Sequence, residues 1–308
     1  MTRATTPASA TFTGAAGNKL AADVFGDRGD PVILLHGGGQ TRHAWRATAS
    51  EIARTGHVAY SIDQRGHGDS DWVAGGTYDF SDFASDLTVI ARELARRSGS
   101  KPSVIGASLG GIASLVAEAE AEKEGDGLFS SLVLVDITPR VDAEGVSKIH
   151  DFMRAHAREG FSSIEDAAEA VAQYLPHRPR PKSNEGLKKN LRLSPDGRWR
   201  WHWDPKFIEG MRRYPDSRER NEAMLVAAAR CVRIPALLVR GGSSELVQEA
   251  HVREFLELVP HAEFVDVSGA RHMVAGDKND HFSAAVLGFL GKLDRNGSPP
   301  LRQNGSVS

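Results

Sequence analysis

A single cysteine, Cys231, stands in 308 residues, so no disulfide can form within the chain. A lone cysteine fits a reducing compartment, and its default place is as a small buried apolar side chain. There is no surplus of positive charge. Lys and Arg number 38 against 40 Asp and Glu, a formal net charge of −2. Nucleic acid and anionic membranes call for a basic excess, so neither is an expected partner. No window approaches the roughly 18 consecutive apolar residues of a membrane span. The amino-terminal MTRATTPASATFTG holds one basic residue and no apolar stretch of signal-peptide length, so a cytoplasmic location is expected. Also missing are a Cys/His cluster at zinc spacing, a His-Glu-x-x-His pair, a phosphate-loop signature and any internal repeat. Hence no metal and no cofactor are expected.

What is present reads as an ordinary soluble protein, 40% hydrophobic and 25% charged, long enough for one large domain or a core with an insertion. Thr11–Thr13 and Lys19–Val24 alternate around Gly14 and Gly17, which predicts a hairpin. Pro31–His36 is a continuous apolar run, as expected of a strand buried on both faces. A helix is predicted at 43–55, a strand at 57–62, and a helix at 80–97 from the spacing of Phe83, Leu87, Ile90 and Leu94. Next come a strand at 102–105, a helix at 109–124 and a strand at 132–135. The alternation predicts a mostly parallel α/β sheet with helices on both faces. It breaks after Val135 and resumes at Pro235–Arg240, followed by helix 248–258, strand 263–267 and helix 281–293. Between them, helical patterns at 141–159 and 163–174 predict a mostly helical insertion longer than an ordinary loop. The expected division is therefore a core at 1–137 and 229–293, an insertion at 138–228, and a polar, disordered tail at 294–308.

Three stretches carry chemistry. GASLG, residues 106–110, places Ser108 between a strand and a helix, the setting of a nucleophile elbow. HGGGQ, residues 36–40, ends a buried strand, and its glycines leave backbone N–H groups free to meet a tetrahedral oxyanion. The N–H groups of Gly38 and Leu109 form the expected oxyanion pair, with Gly39 as alternate to Gly38. His36 reads as a hydrogen-bonded turn organiser. SGARHM, residues 268–273, sets His272 in a loop before the last helix. A serine hydroxyl needs a base at neutral pH, and imidazole suits that work. Chain order and loop position favour His272 over His67, His281, His177, His202 and His261.

Taken together HGGG, SIDQRGHGDSD (61–71), GASLG and SGARHM resemble, in order and spacing, the α/β-hydrolase superfamily, in particular its lid-containing esterase and lactonase-like members. The resemblance spans about residues 18–292 and implies a helical lid inserted after the sixth strand. It implies a structural role for Asp63, Arg65, Gly66, Gly68 and Ser70. It also implies an orienting carboxylate after the strand read at 236–240. There the loop GGSSELV offers Glu245 where aspartate is common, and Asp136, at the end of LVLVD, is the rival position. The implied activity is hydrolysis of a carboxylic ester or lactone through an acyl-enzyme. Perhydrolase or haloperoxidase-like chemistry, carbon–carbon hydrolysis on the same triad, and a non-catalytic receptor are the alternatives. The expected partner is a small ester or lactone substrate, on a monomer or homodimer. Trp199, Trp201 and Trp203 alternate in the insertion and fall on one side if that segment is extended. There they would either line an apolar pocket or anchor the lid.

Overall fold

A computed structural model describes residues 6–176, 178, 180–181, 183–210, 217–271 and 279–297. Eight strands form one sheet: β1 (Ala8–Thr13), β2 (Lys19–Phe25), β3 (Pro31–Leu35), β4 (Val58–Ile62), β5 (Ser103–Ala107), β6 (Ser131–Val135), β9 (Ala236–Gly241) and β10 (Glu263–Val267). Their spatial order is β1-β2-β4-β3-β5-β6-β9-β10. β1 and β2 pair antiparallel, as does β2 with β4, and every pair from β4 through β3 to β10 is parallel. The α/β expectation of a mostly parallel sheet is therefore met.

The apolar runs are continuous because alternate residues feed two cores. Ile33, Leu35, Val104, Leu132, Leu134 and Leu238 face one side. There they meet α2 (Phe80–Ser98), α3 (Leu109–Lys123), α7 (Ser217–Cys231) and α8 (Glu249–Leu258). Val32, Leu34, Ile105, Val133, Val135 and Val239 face the other side, against α1 (Arg46–Arg54) and α9 (Asn279–Gly297). α2 begins where the Asp79 N–H donates to the Asp82 carboxylate at 2.9 Å, and it stops at Gly99 with φ 82°. No helix among the described residues is long and apolar enough to cross a membrane.

The segment after β6 carries α4 (Ala143–Ala155), α5 (Ile164–Tyr174) and α6 (Pro205–Gly210). It also holds a feature absent from the sequence expectation, a two-stranded antiparallel ribbon of β7 (Leu191–Leu193) and β8 (Trp199–Trp201). The segment has its own apolar cluster, which includes Met153, Phe161, Trp201, Trp203, Phe207 and Ile208 and closes against Phe83, Leu109 and Ala113. The expected boundary at residue 228 falls inside α7, whose Leu225, Ala228 and Ala229 belong to the sheet's own core.

Candidate active site

The parallel strands deliver their carboxyl ends to one edge, where crevices of open α/β sheets bind ligands. β3 runs into HGGG, β5 into Ser108, β6 into Asp136 and β9 into the 241–247 loop. Because β3, β5, β6 and β9 are neighbours, residues far apart in sequence share this edge.

Ser108 sits at φ 46° and ψ −112°, caps α3, and donates its N–H to the Val135 carbonyl at 3.2 Å. The turn is tight enough that a β-carbon at Gly106 would overlap the Gly110 carbonyl, and one at Gly110 would come 2.5 Å from the Leu35 carbonyl oxygen. Only glycine fits both places. Among the described residues just two non-glycines have positive φ, Ser108 and Asp136, the latter at 50°. Such conformations cost roughly 1–3 kcal/mol and cluster at functional sites.

Asp136 is fully buried. Its Oδ1 accepts from the Gly241 N–H at 3.0 Å and its Oδ2 from the Ser244 hydroxyl at 2.6 Å. Ser244 in turn accepts from the N–H groups of Leu246 and Val247. Glu245, the residue favoured from sequence, is placed differently. Its carboxylate pairs with the Arg271 guanidinium, and the two side chains are 40% and 39% exposed. Residue 272 lies outside the described residues, so the geometry of His272 is not part of the site as described. The preceding residue is described. A β-carbon on Gly241 would overlap the Arg271 carbonyl, so the chain entering position 272 runs beside the residue whose N–H holds Asp136.

The glycine loop is held from below by two buried imidazoles. The Nδ1 of His36 donates to the Gly37 carbonyl at 2.8 Å while its Nε2 accepts from the Gln64 N–H at 3.1 Å. Burial pushes its pKa down to about 4, and with both ring nitrogens engaged it is a neutral organiser of the turn. The Nε2 of His67 accepts from the Gly39 N–H at 3.1 Å. That bond occupies the expected alternate oxyanion donor. No acceptor among the described residues engages the N–H of Gly38 or Leu109. Of the other histidines named from sequence, His281 is exposed on α9, and His261 bonds the Ile234 carbonyl. His202 lies 3.8 Å from Asp69, and His177 falls outside the described residues.

Above this loop are two side chains that no sequence pattern singled out. The Phe207 ring would meet a β-carbon on Gly38 at 3.1 Å, and the Met153 methyl one on Gly39 at 3.0 Å. Of the three tryptophans, Trp203 reaches the loop, with its Nε1 3.7 Å from the same position on Gly39. Trp201 packs edge-on to Phe161 and Phe152, and Trp199 pairs with Phe161 through its backbone. Trp199 and Trp201 therefore brace the inserted segment internally. The 63–70 stretch is structural as expected. Asp63 accepts from the Arg42 and Asp69 N–H groups, buried Arg65 donates two hydrogen bonds to the Asp86 carboxylate, each at 2.7 Å, and Ser70 ties Ala21 to Asp63. Among the described residues no group of three or more His, Cys, Asp or Glu could hold a metal ion.

Residues 28–279 match the family model described as Serine aminopeptidase, S33. The chain belongs to this family of α/β-hydrolases. It is 30% identical over 273 residues to Esterase Rv0045c of Mycobacterium tuberculosis (strain ATCC 25618 / H37Rv), across 86% of this chain and 84% of that protein. It is 33% identical over 233 residues to 2-(acetamidomethylene)succinate hydrolase of Mesorhizobium japonicum, across 75% and 77%. The solved structure of the M. tuberculosis esterase superposes with a TM-score of 0.73 at 27% identity, over 94% of this chain and 93% of that one. A solved E-2-(acetamidomethylene)succinate hydrolase shares the fold, with a TM-score of 0.77 at 24% identity over 92% and 100%. As a member of this family the chain is a hydrolase.

Proposed function

We propose that this hydrolase cleaves carboxylic esters or lactones with an apolar acyl part, using Ser108 as nucleophile. The observation that carries the reading is Ser108 itself, at positive φ between Gly106 and Gly110. The first N–H of α3, on Leu109, adjoins it, and Gly37 is close enough that its β-position would lie 3.4 Å from the Ser108 Cβ. His272 takes the Ser108 proton as the oxygen attacks the carbonyl. The Gly38 and Leu109 N–H groups receive the oxyanion. The protonated imidazole hands its proton to the leaving alkoxide, leaving an acyl-enzyme. Water then repeats the sequence with His272 as base and releases the acid.

Asp136 is the acid that orients His272 in this reading, in place of Glu245. Two donors already fix the Asp136 carboxylate, whereas Glu245 is committed to Arg271 at the surface. Met153, Trp203 and Phe207 line the acyl side as an apolar lid, which supports a carbon-rich substrate over a highly polar one. The similarity to the esterase from M. tuberculosis supports ester chemistry. Intact mass after incubation with a fluorophosphonate tests the proposal. One adduct is expected on the wild type and none on Ser108→Ala, with p-nitrophenyl ester turnover lost in step. An unlabelled, folded wild type without turnover would sink the activated-serine reading.

A further inference from the structure

The triple glycine that lets N–H groups face an oxyanion is also the most freely rotating backbone in the site, since glycine has no side chain to restrict it. Something must hold each peptide plane. The Gly37 carbonyl is held by the His36 Nδ1–H and by the Gln40 N–H at 3.1 Å. A trans peptide points its N–H opposite its carbonyl, so this anchor turns the Gly38 N–H away from His36. The next plane, between Gly38 and Gly39, is held among the described residues by the bond from the Gly39 N–H to His67. Gly39 stands at φ 77°, where no local preference of an ordinary residue would keep it.

We propose that His67 is a positioning residue that fixes the candidate oxyanion loop and ties its geometry to docking of the inserted segment. This rests on the serine hydrolase reading above. Nδ1 of His67 faces the Arg65 carbonyl at 2.9 Å, which requires hydrogen on Nδ1 and leaves Nε2 bare to accept from Gly39. The ring is fully buried, against His36 at 5.1 Å and edge-on to Phe207 at 4.9 Å between centroids. Desolvation pushes its pKa down to about 3, so the single-proton form that makes both bonds persists at neutral pH. The backbone around the same residue is stitched to the inserted segment. His67 bridges Trp203, the Gly68 N–H donates to the His202 carbonyl at 2.7 Å, and the Asp204 N–H donates to the Gly66 carbonyl at 2.8 Å. One residue thus joins the segment that covers the site to the loop that receives the oxyanion.

Two substitutions separate positioning from simple structural support. The amide of His67→Asn reaches only as far as Nδ1, so it can serve Arg65 but leaves the Gly39 N–H without an acceptor. The longer His67→Gln brings a carbonyl oxygen to the Nε2 position. Loss of one oxyanion donor costs about 100- to 1,000-fold in kcat, and a misaimed donor should cost less. We expect His67→Asn to lose about 10- to 100-fold in kcat on a p-nitrophenyl ester, with KM within about threefold, and His67→Gln to regain most of it. Affinity for a trifluoromethyl ketone, which forms an alkoxide on the serine, should fall in step with kcat. A folded His67→Asn with kcat within about threefold of wild type would overturn the proposal. So would equal losses in both variants, or losses borne by KM. Should neither variant fold, ¹⁵N-histidine NMR of the wild type decides. A neutral ring protonated on Nδ1 is expected, and a proton on Nε2 would overturn the assignment. Ser108→Ala assayed alongside keeps the two readings apart: retained turnover there defeats the serine mechanism, whereas lost turnover with an indifferent His67 defeats only the positioning role.

Discussion

Asp136 and Glu245 are the residues whose roles depend most on where the backbone carries them. Both sit in loops after parallel strands, and both could in principle orient a histidine. Asp136 takes a costly backbone conformation and spends its carboxylate on Gly241 and Ser244, inside the protein. Glu245 spends its charge on Arg271 in half-exposed surroundings, where an ion pair contributes about 0–1 kcal/mol. Asp136→Asn should therefore reduce kcat for ester hydrolysis by about 1,000- to 10,000-fold, the scale seen when an orienting acid is made neutral. Glu245→Gln should stay within about threefold. Steady-state kinetics of the two variants, side by side, check this, and the reverse ranking would return the role to Glu245. The two ranked candidates were legible from residue type and chain position. Their burial and hydrogen-bond supply were not, because these come from β9 and its loop, about a hundred residues away.

At the scale of elements, strands that feed two cores were easiest to read. Pro31–Leu35 and Ser131–Val135 are apolar at every or nearly every position because both faces are covered. Helix ends were harder. The helix expected over 141–159 is Ala143–Ala155, since Asp142 caps it by accepting from the Gly145 N–H at 2.9 Å. The alternating tryptophans fit β8, but the β7–β8 ribbon was not assigned, because three-residue strands are too short for their period to exclude other structure. That ribbon depends on aromatic packing, with Trp201 buried against Phe152 and Phe161. Trp201→Ala should cost about 3 kcal/mol, most of it local to the inserted segment. Limited proteolysis should then cut within residues 138–210 well before the sheet core. Cleavage no faster than in the wild type would show that the ribbon is held by something other than this cluster.

For the whole molecule, the buried histidines set a direction for stability against pH. His36 and His67 have pKa values lowered by burial to about 4 and about 3, against an ordinary value near 6.5 in the unfolded chain. Below pH 6.5 the unfolded state takes up these protons and the folded state does not, so stability falls as the pH drops. Each histidine contributes about 1.4 kcal/mol per pH unit until its folded pKa is reached. Asp23, lowered to about 2 despite the opposing effect of burial, by bonds to His43 and Arg42, adds a loss of the same sign below its unfolded value of 3.8. Urea midpoints measured between pH 7 and pH 4.5 should decline steeply. His67→Gln should flatten the decline relative to wild type. A midpoint independent of pH across that window would mean that these imidazoles are not held neutral.

Residue order alone determined the kind of molecule this is. Alternation of apolar runs with helical spacing dictates a parallel α/β sheet, and GASLG after a strand dictates a tight strand-to-helix turn, since Gly106 and Gly110 have no room for a β-carbon. Those are local properties, written in periodicity and in the sterics of single residues. Tertiary structure decided which distant groups share the carboxyl edge. It brought β6 and β9 side by side, so that Asp136 is bonded by Gly241 and Ser244. It lowered Met153 and Phe207 onto the glycine loop and set His67 beneath Gly39. None of these contacts has a signature in sequence, because hydrogen-bond geometry and burial arise only when strands remote in the chain become neighbours.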